Sequence, residues 1–155
     1  MTHELNVEQW LPVSMEQAWD FFSSPKNLSV ITPPEMDFRI LHPTDEATYA
    51  GMLIDYKVKP LLGISLYWQT KITIVDKPNS FMDLQLKGPY SLWEHSHFFI
   101  PQNGGVLMKD RVRYRLPFGP LGDLVHKLVV KKKIEGIFDF RRQKLESLFP
   151  VSGKP

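Results

Sequence analysis

Hydrophobic and polar residues follow two different periods along this chain. Residues 3–11 alternate and predict a first β-strand. Ser14 then predicts the N-cap of a helix, with Gln17 three residues later as its capping-box partner. That helix places four apolar residues on one face: Met15, Ala18, Trp19 and Phe22. A second short helix is predicted for residues 25–31, because Pro25 suits a first helical turn and the prolines at 33 and 34 prevent continuation.

The period changes to two between residues 36 and 116. Apolar residues alternate with polar ones through residues 52–59 and 66–74, and turn sequences stand at residues 76–79 and 88–89. Strands that are separated only by turns cannot pair in parallel, because parallel pairs need long crossover connections. The pattern therefore predicts an antiparallel meander, in a sheet of about seven strands.

One turn specifies the pairing of the last two strands. Asn103-Gly104 is a strong hairpin signal, because both central residues of such a turn need a positive φ. A two-residue loop there puts four pairs on one face: Trp93 with Tyr114, His95 with Val112, His97 with Asp110, and Phe99 with Met108. A turn at Gly104-Gly105 instead would shift every pair by two residues without moving any residue to the other face.

The last third of the chain is predicted to be helical, but in two phases. The first apolar stripe comprises Leu121, Leu124, Val125 and Leu128. The second, on roughly the opposite side of the helix, comprises Ile134, Ile137, Phe138, Leu145 and Leu148. A straight helix cannot turn both stripes toward one sheet, so we predict a break or kink at residues 130–133 and then a long helix to residue 149. The short segment before the break could act as a flap over a cavity.

Composition limits the class of protein. The 155 residues, 43% of them hydrophobic, fit a single domain over residues 1–150, with 151–155 as a disordered or frayed tail. The absence of cysteine excludes a disulfide scaffold and a thiolate metal site. No apolar run is long enough to span a bilayer, and the first residues lack the apolar region of a secretory signal, so we expect a cytoplasmic protein.

The formal net charge of +2 is small, and the basic residues cluster only in the C-terminal helix. They are Lys127, Lys131, Lys132, Lys133, Arg141, Arg142 and Lys144. Such a run is usually a solvated helix face. Contact with an anionic membrane surface or with a partner protein is the alternative. We expect no nucleic-acid partner, because the concentrated basic stripe with interleaved aromatic residues is missing.

The order of strand, two short helices, antiparallel strands and long C-terminal helix is the helix-grip arrangement of α+β proteins. The chain resembles the START-like superfamily, also called SRPBCC or Bet v 1-like, and in particular its small bacterial ligand-binding and polyketide cyclase-like members. The resemblance is carried by residues 13–22, Pro25-Lys26-Asn27-Leu28, Ile31-Thr32-Pro33, Gly88-Pro89-Tyr90, Trp93-Glu94-His95-Ser96-His97-Phe98-Phe99, Asp110, Tyr114 and Ile137-Phe138-Asp139-Phe140-Arg141. It implies a curved sheet around the last helix, with a cavity between them for a lipid, a hormone or an aromatic polyketide.

The candidate site lies on the inward face of the last hairpin. His97 faces Asp110, whose carboxylate can accept a hydrogen bond from one ring nitrogen and leave the other for a ligand or for His95. Trp93 and Tyr114 share this face. A structural polar network is the first explanation of the cluster, ligand recognition the second, and acid–base catalysis the third, because the sequence shows no nucleophile beside a base.

Further residues complete the expected pocket. Tyr56 and Trp68 on the sheet and Phe138 on the helix extend Trp93 and Tyr114 into an aromatic wall. Asp83 and Gln85 are predicted to face water, because Met82, Leu84 and Leu86 alternate with them. Two histidines at i and i+2, about 6–7 Å apart on a strand, could bind a metal with Asp110, but we expect no metal and no cofactor.

These observations predict a monomer or homodimer that binds an apolar or aromatic small molecule. The alternative is a small cyclase, dehydratase or isomerase in which His97 is the general base, Asp110 orients it, and Tyr114 or His95 polarises the substrate. A protein-interaction module that uses Lys131, Lys132 and Lys133 is a third possibility.

Overall fold

The computed structural model describes residues 1–60 and 63–152. Seven strands form one antiparallel sheet: β1 (His3–Leu11), β2 (Arg39–Ile40), β3 (Leu53–Val58), β4 (Leu66–Asp76), β5 (Ser80–Lys87), β6 (Leu92–Gln102) and β7 (Gly105–Arg115). The helices are α1 (Met15–Phe22), α2 (Gly119–Val125) and α3 (Lys131–Leu148), and a π-helical segment (His126–Val130) joins the last two.

The spatial order of the strands is β1-β7-β6-β5-β4-β3-β2. Every strand except β1 therefore lies beside its neighbour in sequence, and β1 closes the meander by pairing with β7. The predicted α+β helix-grip fold, with a long C-terminal helix across an antiparallel sheet, is confirmed.

The helix start at Ser14 is confirmed. Its hydroxyl accepts a hydrogen bond from the Gln17 backbone N–H at 3.1 Å, and the Gln17 side-chain oxygen accepts one from the Ser14 N–H at 2.9 Å. The second predicted helix is shorter than expected. It is a single 3₁₀ turn at Pro25–Leu28. A separate 3₁₀ turn at Pro34–Met36, outside the predicted helix, begins at the second of the adjacent prolines.

The predicted register of the last hairpin is confirmed. Asn103 and Gly104 have φ values of 51° and 73°, as a two-residue hairpin loop requires, and Gln102 pairs with Gly105. All four predicted cross-strand pairs are present, and the side chains of Phe99, Met108 and Val112 are buried beneath the sheet.

The predicted outward orientation of Asp83 and Gln85 is wrong. On β5 the inward face carries Phe81, Asp83 and Gln85, because Phe81 pairs with His97 and Asp83 pairs with His95. A bulge at Thr73 on the neighbouring strand accompanies this register. The side chain of Gln85 is hydrogen-bonded at the following turn, where its amide donates to the Tyr90 carbonyl at 2.7 Å.

The predicted break in the last helix is a phase shift instead. The π-helical segment precedes the expected position and continues directly into α3. Its wider turn lets every fourth residue point at the sheet: Gly122, His126, Val130, Ile134 and Phe138. The first apolar stripe, at Leu121, Leu124, Val125 and Leu128, is therefore exposed and does not face the sheet.

The apolar core has its densest part where α1 crosses the sheet. Trp19 packs there, with its ring edge-on to Phe81 and to Phe99 at centroid distances of 5.8 and 6.1 Å. Leu145 anchors the end of α3 against the same cluster. Of the tail predicted at 151–155, residues 153–155 lie outside the described residues.

Within the described part of the chain, none of the helices is both long enough and apolar enough to cross a bilayer.

Candidate functional site

A cavity of about 170 Å³ lies between the other half of the sheet and α3. Aromatic and aliphatic side chains form most of its wall, contributed by β3, β4, the turn between β5 and β6, β6 and α3: Tyr56, Trp68, Tyr90, Trp93, Ile137 and Phe138. Ser24, Asn27 and Lys133 are half-buried members of the same lining, so the cavity approaches solvent between the first 3₁₀ turn and α3.

The aromatic wall is ordered by ring contacts and hydrogen bonds. Trp68 stacks on Tyr56 at a centroid distance of 5.8 Å and meets Trp93 edge-on at 5.5 Å. The Trp68 indole N–H donates to the Thr70 hydroxyl at 3.1 Å. Burial raises the pKa of Tyr56, so its hydroxyl stays neutral as a wall group.

A polar cluster of four side chains closes the inner end of the cavity. His95 Nε2 lies 2.7 Å from Asp110 Oδ1, and His97 Nδ1 lies 3.3 Å from the same oxygen. His97 Nε2 lies 2.8 Å from Asp83 Oδ2. The two imidazoles stack at a centroid distance of 3.8 Å. The pattern of two histidines, two residues apart on β6, thus meets a carboxylate on each neighbouring strand.

Arg141 adds a cation behind this cluster. Its Nη1 lies 3.5 Å from Asp110 Oδ1, and both side chains are buried. The sequence had suggested a solvated basic face that included Arg141, and that assignment is wrong for this residue. It lies on the sheet side of α3, where its guanidinium also covers the Phe138 ring at 5.1 Å.

The pKa values of the two histidines are shifted in opposite directions. Burial lowers the pKa of His95, the neighbouring His97 lowers it further, and the bond to Asp110 does not compensate. Burial also opposes the charged form of His97, but hydrogen bonds to Asp110 and Asp83 outweigh it and raise its pKa. Burial disfavours the Asp110 carboxylate, yet its bonds to both imidazoles hold its pKa well below the usual value.

With these directions of pKa shift, the positive and negative charges of the cluster balance. Protonated His97 and Arg141 supply two positive charges against the two carboxylates, Asp83 and Asp110. His95 is neutral and donates from Nε2 to Asp110, so its Nδ1 carries the lone pair. Asp83 Oδ2 is the nearest acid to that nitrogen, at 4.0 Å, which is beyond hydrogen-bond distance.

Some of the same side chains also have the chemistry of metal ligands. Ligand atoms of Asp83, His95 and His97 lie within 4.8 Å of one another, a set that suits a divalent cation. Both nitrogens of His97, however, already face carboxylates, through Nε2 to Asp83 and Nδ1 to Asp110. These contacts account for the position of the His97 ring, whereas Asp110 Oδ2 and Arg141 Nε are buried without a hydrogen-bond partner among the described residues.

The structure places six of the eight predicted ligand-binding residues around the cavity: Tyr56, Trp68, Trp93, His95, His97 and Phe138. Asp110 is not part of the lining, because the two imidazoles lie between it and the space. Tyr114 is also outside the lining. Its hydroxyl bonds to His126 Nε2 at 2.8 Å, so it does not reach the site as a polarising donor.

The sequence analysis missed two residues of the candidate site, since Asp83 was assigned to the outer face and Arg141 to solvent. It also gave no role to His126, which is buried outside the cavity lining. The position of Phe81, a large aromatic residue in phase with Asp83, was the one sequence signal that favoured an inward Asp83. His126 is held by Tyr114 and by stacking on His3 at 3.4 Å, contacts that join residues distant in sequence.

No family model matches this chain, and no curated protein matches it either. Solved structures do. Protein CV1439 from Chromobacterium violaceum has a TM-score of 0.71 at 10% identity, over 96% of this chain and 98% of that one. Protein Ms6760 from Mycobacterium smegmatis has a TM-score of 0.64 at 17% identity, over 94% and 92%.

A third similar structure is a point mutant of norcoclaurine synthase from Thalictrum flavum, solved in complex with a transition-state analogue. Its TM-score is 0.66 at 15% identity, over 96% of both chains. Identities this low establish the fold alone. At that level, the chain shares its overall fold with these proteins, as the resemblance to the START-like, Bet v 1-like superfamily implies.

Proposed function

We propose that this protein binds an apolar, ring-containing small molecule between the sheet and α3. The observation that carries the proposal is the cavity itself, whose aromatic wall ends in a charge-balanced polar cluster. Binding pockets combine an apolar lining with a few convergent polar groups in this way. Flat rings along β3, β4 and β6 favour a flat guest over a flexible acyl chain.

The size of the space limits the ligand. A cavity of about 150 Å³ accommodates benzene in a well-studied engineered protein. The 170 Å³ available here therefore suits a compound of one or two rings. Its polar substituent would lie at the inner end, within reach of His95 Nδ1 and Asp83.

Tryptophan fluorescence tests the proposal, because Trp68 and Trp93 line the cavity. One- and two-ring phenols and ketones should quench the emission in a saturable way, and native mass spectrometry of freshly purified protein should identify any bound compound. Trp93→Ala should weaken binding about tenfold through lost ring contact. Trp10→Ala is the matched control, since Trp10 is equally half-buried but outside the lining. Absence of saturable quenching by every compound, together with no co-purified ligand, would contradict the proposal.

A second candidate function is proton transfer to or from the bound molecule, as in a small cyclase, dehydratase or isomerase. One observation favours it: His95 lines the cavity, Asp110 holds its Nε2 at 2.7 Å, and its Nδ1 lies 4.0 Å from the Asp83 carboxylate, beyond hydrogen-bond distance. A base that is oriented by a buried carboxylate is the arrangement that general-base catalysis requires. His95 suits this role better than His97, whose nitrogens both face carboxylates.

Hydrogen exchange separates the two functions. Bound ketones incubated with the protein in heavy water should gain deuterium next to the carbonyl if His95 removes a proton there. His95→Gln should abolish the gain, whereas His126→Gln, at a buried histidine outside the cavity lining, should retain it. Saturable binding without exchange would leave the binding function and eliminate the catalytic one.

A further inference from the structure

An exposed apolar face precedes α3. It consists of six large side chains within twelve residues: Phe118, Leu121, Leu124, Val125, Leu128 and Val129. Phe118 is 80% exposed, Leu128 70% and Leu121 63%. Single exposed apolar residues are ordinary, but a contiguous set of this kind marks an interaction site.

Packing of this segment on the sheet does not require the exposed face to be apolar. The residues of the same stretch that pack on the sheet are Gly122, His126 and Val130, and they already join the segment to the core. Phe118 also adopts a left-handed backbone conformation, with φ 71° and ψ 23°, which is unfavourable for a bulky side chain. An exposed aromatic ring in such a conformation indicates a role outside the folded domain.

The charges beside the face are basic. Residues 118–133 contain four lysines, at 127, 131, 132 and 133, and one acid, Asp123. Asp123 is already paired, because its carboxylate accepts from the Met1 amino group at 3.0 Å and lies 3.6 Å from His3 Nε2. The segment therefore presents apolar side chains beside a border of net positive charge, and Glu135 is the next acid along α3.

We propose that this face docks on the surface of an anionic lipid bilayer. Leucine and phenylalanine would enter the boundary between headgroups and acyl chains, while the lysines remain among the anionic headgroups. A second copy of the chain fits less well, because a two-fold contact brings the same surface together and would face lysines with lysines. The proposal does not depend on what the cavity binds.

The position of the face gives it a further consequence. Lys133, one helical turn beyond Val129, and Ile137, one turn later, both line the cavity. They also border a groove against the second 3₁₀ turn, where Met36 is shared with the cavity wall. Docking would thus bring the solvent-facing end of the cavity close to the bilayer, in which ring compounds of low polarity dissolve.

Co-sedimentation with vesicles tests the proposal. The full chain should bind vesicles of phosphatidylcholine mixed with phosphatidylglycerol, and should bind phosphatidylcholine vesicles far more weakly. The variant Leu121→Ser/Leu124→Ser/Leu128→Ser should lower the partition coefficient at least about tenfold. The variant Lys127→Gln/Lys131→Gln/Lys132→Gln should lower it about tenfold on anionic vesicles and make the residual binding insensitive to salt.

Two matched controls are available on the outer face of the sheet. The variant Ile74→Ser/Leu86→Ser/Ile100→Ser removes three exposed apolar side chains, and Lys57→Gln/Lys71→Gln/Lys87→Gln removes three exposed lysines. Both should bind like the parent protein. Failure of the parent to bind anionic vesicles, equal loss in the controls, or a dimer in solution that the leucine variant converts to a monomer would each overturn the proposal. The lysine variant keeps the test decisive even if the leucine variant fails to fold.

Discussion

The two halves of the interior lie on one sheet but are filled differently. Under α1, the rings of Trp19 and Phe99 pack with Leu11 and Leu145 in a closed apolar core, and Phe81 lies at the border between this core and the cavity. Under the first turns of α3, aromatic side chains surround an open space, and charged groups lie at its inner end. The comparison indicates that packing under α1 supplies most of the stability. The part under α3 can therefore keep an open space for a ligand.

Removing one ring from each half is the strongest test of this comparison. Phe99→Ala should lower the free energy of unfolding by about 3–5 kcal/mol, because it leaves a cavity in close-packed surroundings. Trp93→Ala removes a larger side chain, but one that is half-buried beside existing space, so it should cost about 1–2 kcal/mol. Urea denaturation measures both values. Equal costs would show that the cavity half is as tightly packed as the core.

Asp110→Asn should have the next largest effect, about 3 kcal/mol in the free energy of unfolding, since it leaves the buried Arg141 guanidinium without its partner. Adding Arg141→Met to it should recover part of the loss. Asp139→Asn, at an exposed position on α3, should change stability by less than about 0.5 kcal/mol. If the double variant were no more stable than Asp110→Asn alone, the cluster would not be held by this ion pair.

Gly122→Ala should cost about 1–3 kcal/mol, because an added methyl group would overlap the Pro117 carbonyl oxygen and push α2 away from the connection that follows β7. Gly136→Ala on α3 is the control. A methyl group there meets open space, so the better helix propensity of alanine should stabilise the protein by up to about 1 kcal/mol. Thermal unfolding measures both changes. An unchanged unfolding temperature for Gly122→Ala would show that α2 approaches the Pro117 carbonyl less closely.

The smallest predicted effect is a pair of opposite pH trends. Because the pKa of folded His97 is raised above the ordinary 6.5, its stabilisation is complete below that pH and is lost as the pH rises through the folded value. The lowered pKa of His95 gives the reverse, with stabilisation present above 6.5 and lost as the pH falls.

His97→Gln should therefore cost more at about pH 5 than at about pH 9, and His95→Gln more at about pH 9. Unfolding free energies of the two variants and the parent, measured across this range, check both signs. Parallel trends would mean that the two imidazoles share one proton and do not hold distinct states.

The sequence predicted the elements whose signals are local. The capping box at Ser14 and the turn at Asn103-Gly104 depend on neighbouring residues only, so the helix start and the hairpin register followed from them. Placing His95, His97 and Trp93 on the inward face then needed only alternation along β6.

The inward position of Asp83 could not be predicted in the same way. Local alternation favoured Met82, Leu84 and Leu86 as the buried set. Asp83 faces inward instead, where it pairs with His95 across the sheet and bonds to the His97 ring. Arg141 was missed for the same reason, because its partner Asp110 lies on β7. Polar residues in the interior are identified by partners remote in sequence, and a pattern of neighbours does not contain them.

The π-helical segment makes the outward orientation of α2 depend on one residue. A π turn accommodates one residue more than an α turn, and each residue of an α-helix rotates the chain by about 100°. Shortening residues 126–130 by one residue would restore an uninterrupted α-helix and swing Leu121, Leu124 and Leu128 around the axis relative to α3. A single-residue insertion or deletion in this stretch would thus be enough for related sequences to gain or lose the exposed apolar surface. The packing of the domain interior would stay the same.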